Sequence, residues 1–287
     1  MRFINPKTDF AFKKIFGSEQ SPPILRSFLN AILYAGEPVI ESLTIVDPYS
    51  IPRLQGMKDT FVDVRATLHD GQRVIIEMQV LNVRGLEKRI LYNAAKEYSA
   101  QLEKGADYTL LNPVIALTIT DFVFFENAQL ETQALSRFVL REKETMITYP
   151  DGDVELVFLE LPKWPEKPVV EQSLTDKWVR FLNEAPDLDW VPAELGSVEE
   201  IGQAFEIAER AGLTAEEERL LEAKRLSLAT MRNLESDLQV MRTHLEEQQQ
   251  RVKEERQRVE EERQRAEEER RRADRLAERL RELGEDV

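Results

Sequence analysis

The chain has 287 residues, of which 54 are acidic, 39 are basic and none is cysteine, and its formal net charge at pH 7 is −15. The lack of cysteine excludes disulfides and thiolate metal sites, and the only histidines, His69 and His244, are too far apart in sequence to favour a zinc site or a catalytic triad. No apolar run approaches the about 20 residues of a membrane span, and the N-terminus lacks the apolar stretch of a signal peptide. We therefore expect a cytoplasmic protein with no membrane partner.

Two helices and a short strand are predicted at the N-terminal end. The first helix covers residues 8–16, and the second begins after Ser21, with prolines in its first turn, and ends near Tyr34. A short strand is predicted at residues 43–46, and residues 48–58 have the composition of a loop.

A hairpin of two strands follows, and each strand alternates apolar and polar residues. The apolar rows, which we expect on one face of the sheet, are Val62, Val64, Ala66 and Leu68 on the first strand and Val74, Ile76, Met78 and Val80 on the second. Asp63, Arg65 and Thr67 occupy the other face of the first strand, while Glu77 and Gln79 share the other face of the second. Carboxylates on adjacent strands are suitable ligands for a hard divalent cation, so this hairpin is a candidate metal site.

The register of the hairpin decides whether the two carboxylates meet. A two-residue turn at Asp70-Gly71 would place Asp63 and Glu77 on opposite faces. A three-residue loop with Gly71 in the left-handed conformation pairs Leu68 with Gln72 and sets Asp63 opposite Glu77. Only this second register puts both apolar rows on one side, so we predict the three-residue loop.

The elements after the hairpin are typical of an α/β domain. A helix is predicted from about residue 85 to 104, ending before Gly105, and a buried strand is predicted at residues 113–120. Further strands are predicted near residues 144–148 and at 154–161, joined at Pro150-Asp151-Gly152. This order of helices and strands predicts a mixed β-sheet flanked by helices.

The hairpin and the segments around it resemble a known family. An Asp, a hairpin and then Glu77-Met78-Gln79 resemble the PD-(D/E)XK nuclease core, in the variant that has Gln where most members have Lys. The opening segment, residues 8–17 (TDFAFKKIFG), and the stretch from Arg89 to Gly105 sharpen the match to the Rpn family of recombination-promoting nucleases, also described as transposases. The chain departs from the superfamily at Val62, where the name-giving Pro would stand, and at Gln79.

The resemblance implies a restriction-endonuclease-like fold and a metal-dependent chemistry. Asp63 and Glu77 would bind Mg²⁺ or Mn²⁺, with the backbone carbonyl of Met78 as a further ligand. Gln79 would be the third catalytic residue, and because a neutral amide is no base, it would hold the attacking water or a phosphate oxygen. Asp9 would be an accessory carboxylate, or alternatively a residue of the first helical turn without a catalytic role. The side chains that would contact phosphate are Arg89, Tyr92 and Lys96.

The C-terminal half changes in character. Residues 162–213 contain prolines at 162, 165 and 168 and predict a linker with a helical extension. Residues 214–217 have the form of a capping box and open a helix that nothing interrupts to about residue 283. We therefore expect a nuclease core at residues 1–161, an extension at 162–213 and a long charged helix at 214–287.

The last helix contains a seven-residue repeat with a thin apolar seam. One seam position holds apolar residues at strict intervals of seven, namely Leu238, Leu245, Val252, Val259, Ala266, Ala273 and Leu280. The companion position is apolar only at its ends, where it holds Met241, Leu276 and Leu283. Glu and Arg residues four apart support the middle as a helix. The pattern permits a homodimer weighted to the ends of the helix, or a monomeric charged helix.

Three interpretations of function remain open at this point. The first is a Mg²⁺-dependent DNA endonuclease linked to recombination or transposition. The second is a catalytically silent relative that works as an interaction and assembly module through its C-terminal helix; the acidic composition and Gln79 favour it, because proteins that bind nucleic acid usually carry a basic surface. The third takes Asp63 and Glu77 as ordinary solvated strand residues.

Overall fold

The computed structural model describes residues 2–46, 62–103, 105–149, 152–210 and 213–282. Its contacts divide the chain into two compact units, Met1–Glu222 and Ala223–Val287. The loop predicted at residues 48–58 and the turn predicted at Pro150-Asp151 lie outside the described residues. Within the described residues, no helix is both long enough and apolar enough to cross a bilayer.

The first unit is built on a mixed sheet of six strands. In chain order these are β1 (Leu43–Ile45), β2 (Val64–Leu68), β3 (Arg73–Gln79), β4 (Val114–Thr120), β5 (Leu135–Val139) and β6 (Val154–Glu160). Their spatial order is β1-β2-β3-β4-β6-β5. The three central strands, β3, β4 and β6, are parallel to one another, and the remaining neighbours pair antiparallel. Accordingly the central strands are long and apolar, since both of their faces are covered by helices.

The β2–β3 hairpin has the predicted register. Val64 pairs with Ile76 and Thr67 with Arg73, and the Leu68 N–H donates to the Gln72 carbonyl at 2.8 Å. Gly71 has φ +88°, and a Cβ on it would approach the Asn112 side chain to 2.6 Å. The left-handed turn therefore requires glycine for two reasons, conformation and space.

Helices of the first unit cover both faces of this sheet. The α-helices in chain order are α1 (Asp9–Phe16), α2 (Pro22–Tyr34), α3 (Leu86–Ser99), α4 (Leu174–Glu184), α5 (Ala193–Gly196), α6 (Glu199–Ala208) and α7 (Ala215–Glu282). The main core lies between one face of the sheet and α1, α2, α4 and α6. The other face packs against α3, where Ala94 contacts Ile75 and Ala116. The order is thus helix layer, sheet, helix, as the α/β prediction requires.

Residues after 161 belong to the same core as the sheet. Trp178 on α4 is fully buried, and its ring centroid lies 5.8 Å from that of Phe16 and 5.6 Å from that of Phe28. The ring of Phe181 packs in turn against that of Phe205 on α6, with 4.8 Å between their centroids. This differs from the boundary predicted at residue 161, because the prolines at 162–168 only redirect the chain, and the aromatic residues beyond them fill the core of the first unit.

Two predicted elements need correction. Residues 144–148 are not a strand, since Met146 has φ +60° and its N–H donates to the Glu142 carbonyl at 3.0 Å in a turn. The strand that pairs antiparallel with β6 is instead β5. The sequence analysis did not predict β5, because its exposed position at the edge of the sheet weakens the alternation of apolar and polar residues. Helix α3 also ends at Ser99, five residues before the predicted end.

Helix α3 is fixed to the hairpin by a buried ion cluster. Glu97, 1% exposed, accepts hydrogen bonds from Arg65 at 2.7 and 2.8 Å and from Arg73 at 3.2 Å. Buried ion pairs contribute little net stability but have a defined geometry. The helix therefore sits at a fixed position over β2 and β3.

A second buried charge pair lies where β6 ends. Glu160 is fully buried and accepts from the backbone N–H groups of Phe124 and Phe125. The Lys163 ammonium donates to Glu160 at 2.9 Å and to the carbonyls of Phe125 and Leu130. Every charge here has partners, which holds the loop after β4 against the sheet.

Helix α7 begins in the first unit and continues through the second. The predicted capping box is present, with reciprocal hydrogen bonds between Thr214 and Glu217 at 2.8 and 3.2 Å. Leu221 is buried in the main core, and Lys14 on α1 pairs with Glu217. In the second unit the apolar residues of the repeat that are described remain exposed, among them Leu238, Leu245, Val252 and Val259.

Candidate active site

Asp63 lies just before β2, at the end of the sheet where β3 finishes. Its carboxylate accepts the backbone N–H of Met78 at 2.8 Å, and its own N–H donates to the Ile76 carbonyl at 3.0 Å. The Lys13 ammonium on α1 approaches it to 3.5 Å, and that ammonium also pairs with Asp9 at 2.9 Å. The hairpin backbone therefore holds Asp63 in place, and α1 supplies its charged neighbours.

The alternation of β2 does not continue through Asp63 as predicted. Val64 contacts the main core, as expected, but Val62 packs with Ile75 and Ala94 on the face of α3. The chain changes face at Asp63, because both its N–H and its carboxylate are bonded to the backbone of β3. The two predicted ligands therefore have different neighbours, with Asp63 beside α1 and Glu77 beside α3.

Burial controls the protonation of Asp63. The pKa of its carboxyl is raised to about 7, mainly by desolvation and also by a hydrogen bond with Asp9, while the Met78 N–H and the charge of Lys13 act in the opposite direction. A carboxylate that is buried beside another acid and only partly neutralised is one that a divalent cation would stabilise.

Glu77 is the buried carboxylate of β3. It is 5% exposed and accepts a hydrogen bond from Asn93 on α3 at 2.5 Å. Burial raises the pKa of Glu77, while the hydrogen bond from Asn93 and the charge of Arg89 oppose that rise. The sequence analysis did not identify Asn93 as a site residue, although a polar residue on the buried face of α3 is a sign of a buried hydrogen-bond partner. Its Oδ1 is buried and has no hydrogen-bond partner.

Gln79 does not present a free amide to water. Its Nε2 donates to Glu77 at 3.2 Å, and its Oε1 accepts from the Arg89 guanidinium at 2.6 Å. The same guanidinium lies 3.5 Å from Glu77. Glu77, Gln79 and Arg89 therefore form one hydrogen-bonded triangle between β3 and α3.

The backbone of Met78 lies between the two carboxylates. The N–H and C=O of one strand residue point to the same side of the strand. Because the Met78 N–H points to Asp63, the Met78 carbonyl also faces that side, beyond the end of β2. The Met78 carbonyl, which is the predicted backbone ligand, therefore faces the side of β3 on which Asp63 lies.

The side chains of the remaining predicted site residues differ in how far they are exposed to solvent. Asp9 follows the Thr8 N-cap, so it lies in the first turn of α1, and it contacts Lys13 as described. Arg89 is 41% exposed at its side chain and Tyr92 is partly buried. Lys96 is 7% exposed, which removes it from direct contact with a phosphate in this structure, because α3 turns that position toward the protein.

Lys13 is a site residue that sequence reasoning missed. It lies in the segment 8–17, which the sequence analysis uses only for its family resemblance. Its position four residues after Asp9 is the sequence signal that indicates an ion pair between them. Its ammonium is the cation nearest to Asp63 in the described contacts.

The donor set fits a hard cation that keeps much of its own water. No group of three or more His, Cys, Asp or Glu side chains converges in the part of the chain that the structure describes. Two carboxylates and a backbone carbonyl from neighbouring strand ends of β2 and β3 are nevertheless the kind of oxygen set that Mg²⁺ accepts, because Mg²⁺ retains waters and binds phosphate oxygens.

A family model described as PD-(D/E)XK nuclease family transposase matches residues 6–233, more than half of the chain. The chain belongs to this family. The match ends within α7, so it includes the whole mixed sheet, the flanking helices and the start of the long helix. Family membership supports a nuclease or transposase-like function and a restriction-endonuclease-like α/β fold. No curated protein and no solved structure matches the chain.

Proposed function

We propose that the chain is a Mg²⁺-dependent DNA endonuclease of the recombination and transposition type, which hydrolyses phosphodiester bonds. The observation that carries the proposal is the pair of desolvated carboxylates, Asp63 and Glu77, on either side of the Met78 backbone at the end of β3. Carboxyl groups that burial makes hard to ionise are typical of functional sites. Membership of a nuclease family adds the reaction class.

Asp63, Glu77 and the carbonyl of Met78 are the residues that would hold Mg²⁺, or Mn²⁺ in its place. A bound ion of this kind polarises the scissile phosphate and lowers the pKa of a bound water. In the proposed hydrolysis the oxygen of a water would bond to phosphorus and that water would give up a proton to solvent, while the bond from phosphorus to the leaving oxygen would break and the leaving oxygen would take up a proton from solvent.

Residues of α1 set the charge around this site. The Lys13 ammonium pairs with Asp9 at 2.9 Å and lies 3.5 Å from Asp63, and it would pair with a phosphate once Asp63 binds a metal. Asp9 remains an accessory carboxylate that orients Lys13 through their 2.9 Å contact. On the α3 side, Arg89 and Tyr92 are the proposed phosphate contacts.

DNA binding by this acidic protein must be local. The net charge of −15 opposes a general attraction to phosphate. The proposed footprint is therefore restricted to cations at the end of the sheet, chiefly Lys13 and Arg89. A catalytically silent assembly module is the competing function, and the observation that favours it is the prior engagement of both carboxylates by these cations.

Cleavage of supercoiled plasmid DNA, with and without Mg²⁺, tests the proposal. Wild-type protein should nick or linearise the plasmid only with Mg²⁺ or Mn²⁺, and Asp63→Asn plus Glu77→Gln should abolish the product while the thermal melt still shows a folded domain. Calorimetry should show divalent metal binding that the double variant loses. Metal binding without cleavage by the wild type would favour the silent module.

Any homodimer would use a restricted part of α7. Leu234, Leu238, Met241 and Leu245 form a continuous apolar seam, and all four are exposed. Beyond it the positions beside the seam become Arg, at 251, 256, 258 and 263, so that parallel self-pairing would oppose like charges. We therefore place the proposed homodimer contact at residues 234–245.

A further inference from the structure

We infer that Gln79 is a positioning residue that holds Arg89 as a fixed, phosphate-binding cation beside Glu77. This inference rests on the proposed function, since it assigns a role within the same site. It differs from the expectation that the amide of Gln79 holds water, because Nε2 and Oε1 of that amide are directed to Glu77 and Arg89.

The contacts around Gln79 determine where the guanidinium can lie. Gln79 accepts from Arg89 Nη2 at 2.6 Å and donates to Glu77 at 3.2 Å, so a single side chain bridges the cation and the candidate metal ligand. Without this bridge, Arg89 would be a long, partly exposed side chain in the first turn of α3, and its remaining contact in the described part of the site would be the 3.5 Å ion contact with Glu77. An ion contact of this length, with no hydrogen bond in it, fixes a long side chain less well than the hydrogen bond to Gln79 does.

Arg89 retains hydrogen-bonding capacity for a ligand. Its Nε is buried and has no hydrogen-bond partner, while 41% of the side chain is exposed. A guanidinium offers donors in a planar fork that matches two oxygens of a phosphate, and its charge is independent of pH in the working range. A phosphodiester placed at the end of β3 would accept hydrogen bonds from the exposed part of this guanidinium.

A fixed cation at this place would act on the charge that develops during hydrolysis. Negative charge accumulates on the phosphate oxygens as the water attacks, and a preorganised donor stabilises it without reorganisation. Arg89 would therefore touch the reacting group, and Gln79 would act only through Arg89.

A double-mutant cycle separates these two roles. Gln79→Met keeps the length and volume of the side chain while removing both hydrogen bonds, and Arg89→Ala removes the cation. We expect each variant to lower single-turnover cleavage by about 100-fold. In the double variant the loss should equal that of Arg89→Ala alone, since Gln79 has nothing left to hold. Lys88→Ala, which removes an exposed charge from the neighbouring position, is the matched control and should cleave like the wild type.

Two further measurements exclude a purely structural effect. The thermal melts of Gln79→Met and Arg89→Ala should still show a folded domain, and Arg89→Lys should recover only part of the rate because an ammonium lacks the planar fork. Losses that multiply in the double variant would show that Gln79 acts independently of Arg89 and would overturn the inference.

A DNA-binding measurement makes the test independent of cleavage. Fluorescence anisotropy of a labelled duplex reports binding in the presence of Ca²⁺. Both single variants should weaken binding by about tenfold, with no further loss in the double variant and a salt dependence reduced by about one phosphate contact. If the wild type fails to cleave but this cycle holds, the endonuclease proposal fails and the Gln79–Arg89 assignment stands. A duplex that binds the wild type and Arg89→Ala equally, or that binds neither, overturns the assignment.

Discussion

The first unit, Met1–Glu222, and the second, Ala223–Val287, are stabilised by different interactions. The first has a fully buried aromatic core and buried ion clusters, so its elements depend on residues distant in the chain. In the second, the described side chains are exposed except for that of Leu228, which is half-buried, and the helix depends on local pairs such as Glu267 with Arg271 at 3.0 Å. Chemistry that needs fixed side chains therefore belongs to the first unit, while the second offers length and a repeated surface.

Removing the carboxylates should have the largest effect and leave the second unit untouched. We expect Asp63→Ala or Glu77→Ala to lower plasmid cleavage by about 1,000-fold or more, because loss of a metal ligand removes several kcal/mol of transition-state stabilisation. Helical ellipticity should not change. A rate within tenfold of wild type for both variants would place the active site elsewhere.

A core substitution after residue 161 tests the extent of the first unit. Trp178→Ala should lower the free energy of unfolding by about 3–5 kcal/mol, as expected for truncating a fully buried aromatic residue. Urea denaturation monitored by circular dichroism measures this, with Trp190→Ala, which is 69% exposed, as the matched control. Equal stability of the two variants would mean that residues 162–208 form a separate extension after all.

The raised pKa of Asp63 predicts a pH dependence confined to the first unit. Its folded pKa of about 7 exceeds the ordinary value of 3.8, so the native state binds the extra proton between these values, and this group makes the metal-free protein less stable as pH rises from about 4 to about 7. Asp63→Asn should flatten that dependence. Urea denaturation at several pH values in EDTA checks it, and a parallel slope in the variant would contradict the assignment.

The same protonation should govern metal affinity. Because Mg²⁺ must displace the proton from Asp63, its apparent affinity should rise with pH up to about 7 and then level off. Calorimetry at pH 6 and pH 8 measures the difference. A pH-independent affinity would indicate that Asp63 is already ionised throughout.

Truncation of the long helix should have the smallest effect on the first unit. Removing residues 232–287 leaves Leu221 and Glu217 in place, so cooperative unfolding and metal binding should persist with a melting temperature within a few degrees. Light scattering should report a change in mass only if residues 234–245 pair in the full chain. Loss of cooperative unfolding on truncation would show that the second unit packs on the first.

The sequence predicted those parts of the fold that depend on local patterns. The hairpin register followed from the single residue Gly71 and from the two apolar rows, and the capping box at Thr214 followed from spacing. The edge strand β5 and the membership of Trp178 in the core depend on tertiary packing, which no local pattern reveals. Asp63, Glu77 and Gln79 were found through a motif, whereas their partners Lys13 and Asn93 emerged only when α1 and α3 were placed against the sheet.

The Glu160–Lys163 pair constrains how the loop after β4 can be altered. Replacing either residue alone would leave the other as an unpaired buried charge, at a cost of about 3–5 kcal/mol. Loss of Glu160 would also leave the N–H groups of Phe124 and Phe125 without their acceptor. Loss of Lys163 would leave the carbonyls of Phe125 and Leu130 without their donor. A joint exchange for neutral residues would still leave those backbone groups to be satisfied. Library designs that diversify residues 121–133 should therefore keep both charges constant, and selections for folded protein that vary Glu160 and Lys163 should recover the wild-type pair.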